Sequence, residues 1–190
     1  MSDSRNADLV WPLGARHPGG DYKVFKTSFV DATHPRTGAP KRFSLIECGD
    51  WVNVIALTPD DRVVLIRQFR PGTNSVYVEI PGGMVDHGEQ PLAAAARELE
   101  EETGYTTRSW RALGKLAPNP AIQNNYLHSF LALDAEPTVP QRLDAGEVIA
   151  IETVPLAEVR AMLRDGRIDH ALVLGAFAHL AFELGGLRRP

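Results

Sequence analysis

The order of apolar and polar residues predicts several short strands early in the chain and helices later. Strands are indicated by short runs rich in β-branched and aromatic residues, each bounded by glycine, proline, asparagine or aspartate. These runs cover residues 22–30, 43–48, 51–58, 63–69, 77–80, 126–132 and 148–154. Residues 59–61 join the third run to the fourth over a length that suits a β-hairpin.

The period of the pattern changes after residue 90. Apolar residues then recur at the spacing of one helical face, at Leu92, Ala95, Ala96 and Leu99. Pro91 suits the first position of this helix, and Gly104 supplies a left-handed end. Further helices are predicted over 155–164 and from a cap at Asp169 to about residue 183. Residues 1–47 are therefore expected to form a small β subdomain, and residues 48–190 a mixed sheet with helices on its faces.

Composition and charge exclude several classes of protein. The 190 residues are 44% hydrophobic and 23% charged, which suits a folded soluble chain with a real core. Twenty Lys and Arg stand against 24 Asp and Glu, so a broad nucleic-acid-binding surface is not expected. One cysteine excludes an internal disulfide and a zinc site built from several cysteines. The polar start of the chain and the lack of an apolar run of roughly 18 residues favour a cytoplasmic protein without membrane contact.

Acidic residues are concentrated in the helix predicted after residue 90. Glu98, Glu101 and Glu102 share one face, whereas Glu100 points elsewhere. Like charges at this spacing repel, and the C-terminal end of a helix disfavours negative charge. A solvated acidic face is the simplest interpretation. However, two glycines precede the helix, and carboxylates are the ligands that Mg²⁺ and Mn²⁺ prefer, so the segment also suits a metal-and-phosphate site.

Residues 83–105 read GMVDHGEQPLAAAARELEEETGY and resemble the Nudix box, Gly-x5-Glu-x7-Arg-Glu-U-x-Glu-Glu-x-Gly-U, where U is apolar or aromatic. The positions that match are Gly83, Glu89, Arg97, Glu98, Leu99, Glu101, Glu102, Gly104 and Tyr105. Outside the box, residues 65–70 and 78–83 are similar to ADP-ribose and nucleotide-sugar pyrophosphatases of this superfamily. Pro120, 15 residues after the box, adds to that resemblance.

The resemblance implies an α/β/α sandwich that hydrolyses a nucleoside diphosphate linked to another group. It implies Mg²⁺ or Mn²⁺, more than one ion per site, bound by Glu98, Glu101, Glu102 and the main-chain oxygen of Gly82. Structural roles are implied for the remaining box residues Gly83, Glu89, Arg97 and Gly104, with Glu89 and Arg97 pairing to hold the loop on the helix. It also implies that the N-terminal β subdomain helps to build a homodimer and contacts substrate.

The general base and the substrate contacts are harder to assign. In similar enzymes a glutamate on a late loop often serves as base, which points to Glu147, with Asp144 second and Glu101 as the alternative within the box. Arg70 is expected to face a phosphate. The other candidate substrate contacts are Glu79, Phe69 or Tyr22, and Asn119.

Three functions remain open. The first is hydrolysis of ADP-ribose or a related nucleoside diphosphate sugar to a nucleoside monophosphate and a sugar phosphate. The second keeps the box but changes the substrate to a dinucleoside polyphosphate, coenzyme A, NADH or a damaged nucleotide. The third is a non-catalytic nucleotide-sugar sensor, which the intact glutamates of the box disfavour.

Overall fold

The computed structural model describes residues 4–185 and divides the chain into two compact units. The first unit comprises the residues up to Gly49 together with Ala117–Asn125. The second comprises Asp50–Leu116 and the chain from Tyr126 onward. Residues 1–3, within the polar start of the sequence, lie outside the described part.

The first unit is built on an antiparallel sheet with strand order β1–β2–β3. These strands are β1 (Leu13–Asp21), β2 (Lys26–Thr33) and β3 (Pro40–Glu47). Alternate residues of β2, Ser28, Val30 and Ala32, are buried. The predicted first strand began too early, because Tyr22 donates a backbone hydrogen bond to Phe25 in a turn before β2. Strand β1 was not predicted, since it contains glycines and a proline that only an edge strand with register shifts tolerates.

The second unit contains a mixed sheet with strand order β7–β4–β10–β9, in which β10 runs parallel to β4. A three-stranded antiparallel sheet, β12–β5–β6, and a short pair, β11–β8, complete its strands. The bounds are β4 (Trp51–Ala56), β5 (Arg62–Arg70), β6 (Ser75–Glu79), β7 (Gly82–Met84), β8 (Tyr105–Thr106), β9 (Ser109–Leu116), β10 (Leu127–Leu133), β11 (Glu136–Pro137) and β12 (Ile149–Pro155).

Helices cover both faces of the mixed sheet. They are α1 (Pro91–Thr103), α2 (Leu156–Asp165) and α3 (Ala171–Glu183). Val54 on β4 packs in a cluster with Leu99 of α1, whereas its neighbour Ile55 packs in a second cluster with Val159 of α2 and Phe177 of α3. Strand β4 is therefore apolar on both faces, as expected for a central strand.

Two details of the helices differ from the sequence prediction. Helix α3 has His170, rather than Asp169, at its N-cap position. Leu92, predicted to lie on the buried face of α1, is exposed, because the buried face of that helix runs through Ala94, Ala95 and Leu99 instead. Within residues 4–185, no helix is both long and apolar enough to cross a membrane.

Candidate active site

Two glycines bring strand β7 against helix α1. Strand β7 pairs antiparallel with β4, so that Gly82 lies opposite Asn53 and Gly83 opposite Val52. A Cβ atom at Gly82 would collide with the backbone oxygen of Val52, and one at Gly83 would collide with the carboxylate of Glu98. At Gly82 the obstacle is backbone, so only glycine permits this close approach of the strand to its neighbour.

Glu102 is buried at the contact between α1 and β7. The residue is only 3% exposed, and its Oε2 accepts a 2.8 Å hydrogen bond from the backbone N–H of Gly82. Burial raises the pKa of Glu102 to about 8, and the negative charges of Glu98 and Glu147 act in the same direction. The hydrogen bond from Gly82 and the charge of Arg70 oppose this shift without cancelling it.

Glu98, one turn earlier, shows the same effect. Burial is the main cause of its raised pKa, with repulsion from Glu101 and Glu147 adding to it. The ion pair with Arg97 acts in the opposite direction. The helix therefore holds two partly desolvated carboxyl groups. The positive charge near them is too small to offset the effect of burial on their pKa.

Arg97 is the local cation of this cluster. Its Nη1 lies 2.8 Å from Glu98 Oε1 and 3.2 Å from Glu101 Oε2. Its Nε and Nη2 each donate a 3.1 Å hydrogen bond to the carboxylate of Glu89, and Nη2 also donates to the backbone oxygen of Met84. These contacts lower the pKa of Glu89 and fasten the loop before α1 to the helix. At the other end, Gly104 adopts φ 74° and its N–H donates to the Glu100 carbonyl.

The late loop of the chain contacts the acidic helix. Arg142 Nη2 lies 2.8 Å from Glu101 Oε1, and its backbone N–H donates to the Glu101 carbonyl oxygen. Glu147 is half-buried and precedes β12; its Oε2 accepts a hydrogen bond from the Asp144 N–H. Because the charge of Glu147 raises the pKa of both Glu98 and Glu102, its carboxylate is electrostatically coupled to the cluster.

The donor atoms suit a hard divalent cation. They are carboxylate oxygens, two of which belong to groups whose pKa is raised by burial, and a bound cation would favour their ionised form. Among residues 4–185, no three Asp, Glu, His or Cys side chains lie close enough together to bind a metal ion in the arrangement they have here. Ion pairs of Arg97 and Arg142 hold Glu98 and Glu101, while Gly82 holds Glu102. Metal binding would therefore require these pairs to rearrange.

A cavity of about 390 Å³ adjoins the glycine pair. Gly82 and Gly83 line it together with Arg70, Glu79, Asn53 and His170. Arg70 Nε and Nη2 donate hydrogen bonds of 2.7 and 2.8 Å to the two oxygens of Glu79, which is 3% exposed. The structure thus joins the predicted phosphate contact, Arg70, and the candidate substrate contact, Glu79, in a bidentate ion pair.

Asn53 and His170 were not predicted as site residues. Asn53 is buried in β4, and it is the single polar residue among the apolar residues Trp51–Ala56. A single polar residue within an apolar strand was the feature of the sequence that could have indicated a site residue. His170 precedes α3, far along the chain, and no local pattern connects it to the box.

Three other predicted contacts are not among the residues that line this cavity. Phe69 is on β5 and is 51% exposed, and the residues lining the cavity do not include it. Asn119 belongs to the first unit, where it is exposed and its carbonyl oxygen accepts hydrogen bonds from the N–H groups of Ile122 and Gln123. Tyr22, also in the first unit, stacks on Phe25 at 5.0 Å between ring centroids.

Comparison with known proteins identifies the family and the relatives of this chain. The family profile described as "NUDIX domain" matches residues 50–176. An ADP-ribose pyrophosphatase of Bacillus subtilis (strain 168) is 30% identical over 162 residues, which cover 85% of this chain and 87% of that protein. An ADP-sugar pyrophosphatase of Mus musculus is 42% identical over 113 residues, covering 56% of this chain and 52% of that protein.

A solved structure shares the fold. The crystal structure of an ADP compounds hydrolase aligns with a TM-score of 0.79 over 93% of this chain and 95% of that chain, at 24% identity. This likeness confirms the predicted fold class, a mixed sheet between helices with a small N-terminal β portion.

Proposed function

This chain is a pyrophosphohydrolase of the NUDIX domain family, and we propose that it cleaves ADP-ribose or a related nucleoside diphosphate sugar with the help of Mg²⁺ or Mn²⁺. The products are a nucleoside monophosphate and a sugar phosphate. The observation that carries the proposal is the pair of desolvated carboxyl groups, Glu98 and Glu102, held against the Gly82-Gly83 backbone. The names of the two relatives described above support the substrate class.

Glu98, Glu101 and Glu102 would hold the metal ions, and the carbonyl oxygen of Gly82 would complete the set. When bound, the ions supply positive charge to the phosphate oxygens and lower the pKa of water. Arg97 keeps the helix and the preceding loop in register through Glu89. Arg70, already oriented by Glu79, is placed on the cavity wall to meet the negative charge of the substrate.

Glu147 is the proposed general base. Its carboxylate is coupled to Glu98 and Glu102, so it lies within electrostatic reach of the cluster where water attacks phosphorus. It would accept a proton from that water as the P–O bond to the leaving phosphate breaks. Asp144, on the same turn, is the second candidate on the loop, and Glu101 is the alternative within the box.

The N-terminal unit is proposed to mediate a homodimer and to contribute substrate contacts. Its strands, and the turn between β1 and β2, expose large apolar side chains, among them Leu13, Phe29 and Val24. A β unit of this size gains little stability from its own core, which favours packing on another surface. Sedimentation velocity tests this part, because a species of only 20.8 kDa would contradict it.

A substrate panel tests the proposed activity. The protein is incubated with Mg²⁺ and ADP-ribose, GDP-mannose, UDP-glucose, NADH, coenzyme A, diadenosine polyphosphates or 8-oxo-dGTP, and products are identified by mass spectrometry. We expect nucleoside monophosphate and sugar phosphate from one or more of the diphosphate sugars, and no turnover in EDTA. Turnover of triphosphates or dinucleoside polyphosphates alone would show that the proposed substrate class is wrong.

A further inference from the structure

Two residues that line the cavity beside the glycine pair each carry a buried side-chain atom without a hydrogen-bond partner among residues 4–185. Asn53 Oδ1 and His170 Nδ1 are both enclosed, and neither has a hydrogen-bond donor in the described part of the chain. Asn53 is 5% exposed. Buried polar atoms are nearly always paired, so an unpaired one on a residue that lines a cavity is a candidate ligand contact.

The orientation of the Asn53 amide is fixed by its neighbour. Asn53 Nδ2 donates a 3.0 Å hydrogen bond to the backbone oxygen of Leu172. A carbonyl oxygen only accepts, so the amide nitrogen has to face it and Oδ1 is left over. The unpaired atom is therefore an acceptor.

His170 presents a second acceptor. Its Nε2 lies 4.0 Å from Glu79 Oε2, and the carboxylate of Glu79 is held by Arg70. In the tautomer with the ring proton on Nε2, that proton faces the carboxylate and Nδ1 is an acceptor. The buried Nδ1 then has a lone pair to offer.

Acceptors beside apolar residues favour a ligand group rich in hydrogen-bond donors. Trp51, Leu127 and Val173 supply apolar surface in the same cavity. Sugar hydroxyls donate hydrogen bonds, whereas the adenine edge is mainly a set of acceptors with one amino group. Gly82 and Gly83 line this cavity and also contact Glu102 and Glu98. A group bound here is thus next to the carboxyl cluster.

We propose that Asn53 and His170 accept hydrogen bonds from hydroxyl groups of the terminal sugar and so determine the specificity for diphosphate sugars. This inference rests on the proposed function and adds to it the side chains that recognise the sugar.

A purely structural explanation of the unpaired Asn53 oxygen has to be separated from this inference. Ser129 lies opposite Asn53 in the β4–β10 ladder, and its hydroxyl is also buried without a partner among residues 4–185. A bond between Ser129 and Asn53 would satisfy both without a ligand.

The test compares Asn53→Ala with Ser129→Ala as the matched control. The kcat/KM of each protein is measured for ADP-ribose and for analogues in which one terminal-ribose hydroxyl is replaced by hydrogen. We expect Asn53→Ala to lower kcat/KM for ADP-ribose about 10-fold, mainly through a higher KM. The variant should also have the same kcat/KM for ADP-ribose as for the one analogue that lacks the hydroxyl bound by Asn53. Ser129→Ala should behave as wild type. His170→Ala should show the same pattern with a different hydroxyl.

Three results would overturn the inference. One is an equal fall in kcat/KM of Asn53→Ala for ADP-ribose and for every analogue. Another is a fall in kcat/KM of Ser129→Ala that is as large as that of Asn53→Ala. The third is weaker product inhibition by AMP in Asn53→Ala with inhibition by ribose 5-phosphate unchanged.

Failure of the proposed function would look different, since wild type would then hydrolyse none of the diphosphate sugars. In that case saturation-transfer NMR with ribose 5-phosphate decides. Signals from the sugar protons in wild type that are lost in Asn53→Ala support the inference, and their absence in wild type overturns it.

Discussion

Replacing Glu102 by glutamine should stabilise the metal-free protein at neutral pH. Burial raises the pKa of Glu102 to about 8 in the folded chain, from an ordinary value of 4.5. Between these two values the folded protein binds one more proton than the unfolded chain. The free energy of unfolding therefore falls as pH rises through this window, and the stability present below pH 4.5 is lost by about pH 8.

The size of the effect follows from the width of the window. Each pH unit inside it lowers the free energy of unfolding by about 1.4 kcal/mol, so the loss between pH 5 and pH 7 is about 3 kcal/mol. Glutamine has no charge to desolvate, and its oxygen can still accept the hydrogen bond from the Gly82 N–H. The advantage of Glu102→Gln over wild type should thus grow with pH.

Urea unfolding in EDTA at pH 5, 6 and 7 measures this difference. Glu100→Gln is the matched control, because it removes the same charge from the same helix at a position away from Gly82, and it should follow the wild-type slope. Adding Mg²⁺ at pH 7 should stabilise wild type more than Glu102→Gln, since only wild type offers the full carboxylate set. Parallel pH profiles for wild type and Glu102→Gln would refute the reasoning.

Three further substitutions have defined outcomes. Gly82→Ala places a Cβ against a backbone oxygen that cannot move aside, so thermal unfolding should show a loss of about 2 kcal/mol or more, whereas Gly72→Ala, which has open space, should be neutral. Arg142→Ala frees Glu101 from an exposed ion pair, and calorimetry should show Mg²⁺ binding about two- to five-fold tighter; unchanged or weaker binding would argue against competition at Glu101. Glu147→Gln should lower kcat about 100-fold with Mg²⁺ affinity unchanged, and wild-type turnover would remove the base assignment.

The box and its helix could be predicted because their determinants are local. Fixed spacing along α1 places Glu98 and Glu102 one turn apart, and the close approach of Gly82 and Gly83 needs no more than the absence of side chains. The start at Pro91 follows from the same local rules.

Features that depend on strand register were not predictable in the same way. Strand β9 was missed because it carries a register shift opposite Ser129 and Phe130, which breaks the alternation of apolar and polar residues. The pairing of Arg70 with Glu79 depends on the β5–β6 register, so the sequence suggested two independent substrate contacts. His170 reaches the cavity only through the placement of α3, which no local pattern encodes.

Binding of Mn²⁺ followed by electron paramagnetic resonance tests the central claim most directly, since it reports the metal without requiring turnover. Wild type and Glu100→Gln should take up Mn²⁺ alike, while Glu98→Gln, Glu101→Gln and Glu102→Gln should each bind it at least about 10-fold more weakly. If all three variants bind Mn²⁺ as wild type does, the acidic helix is not the metal site of this hydrolase.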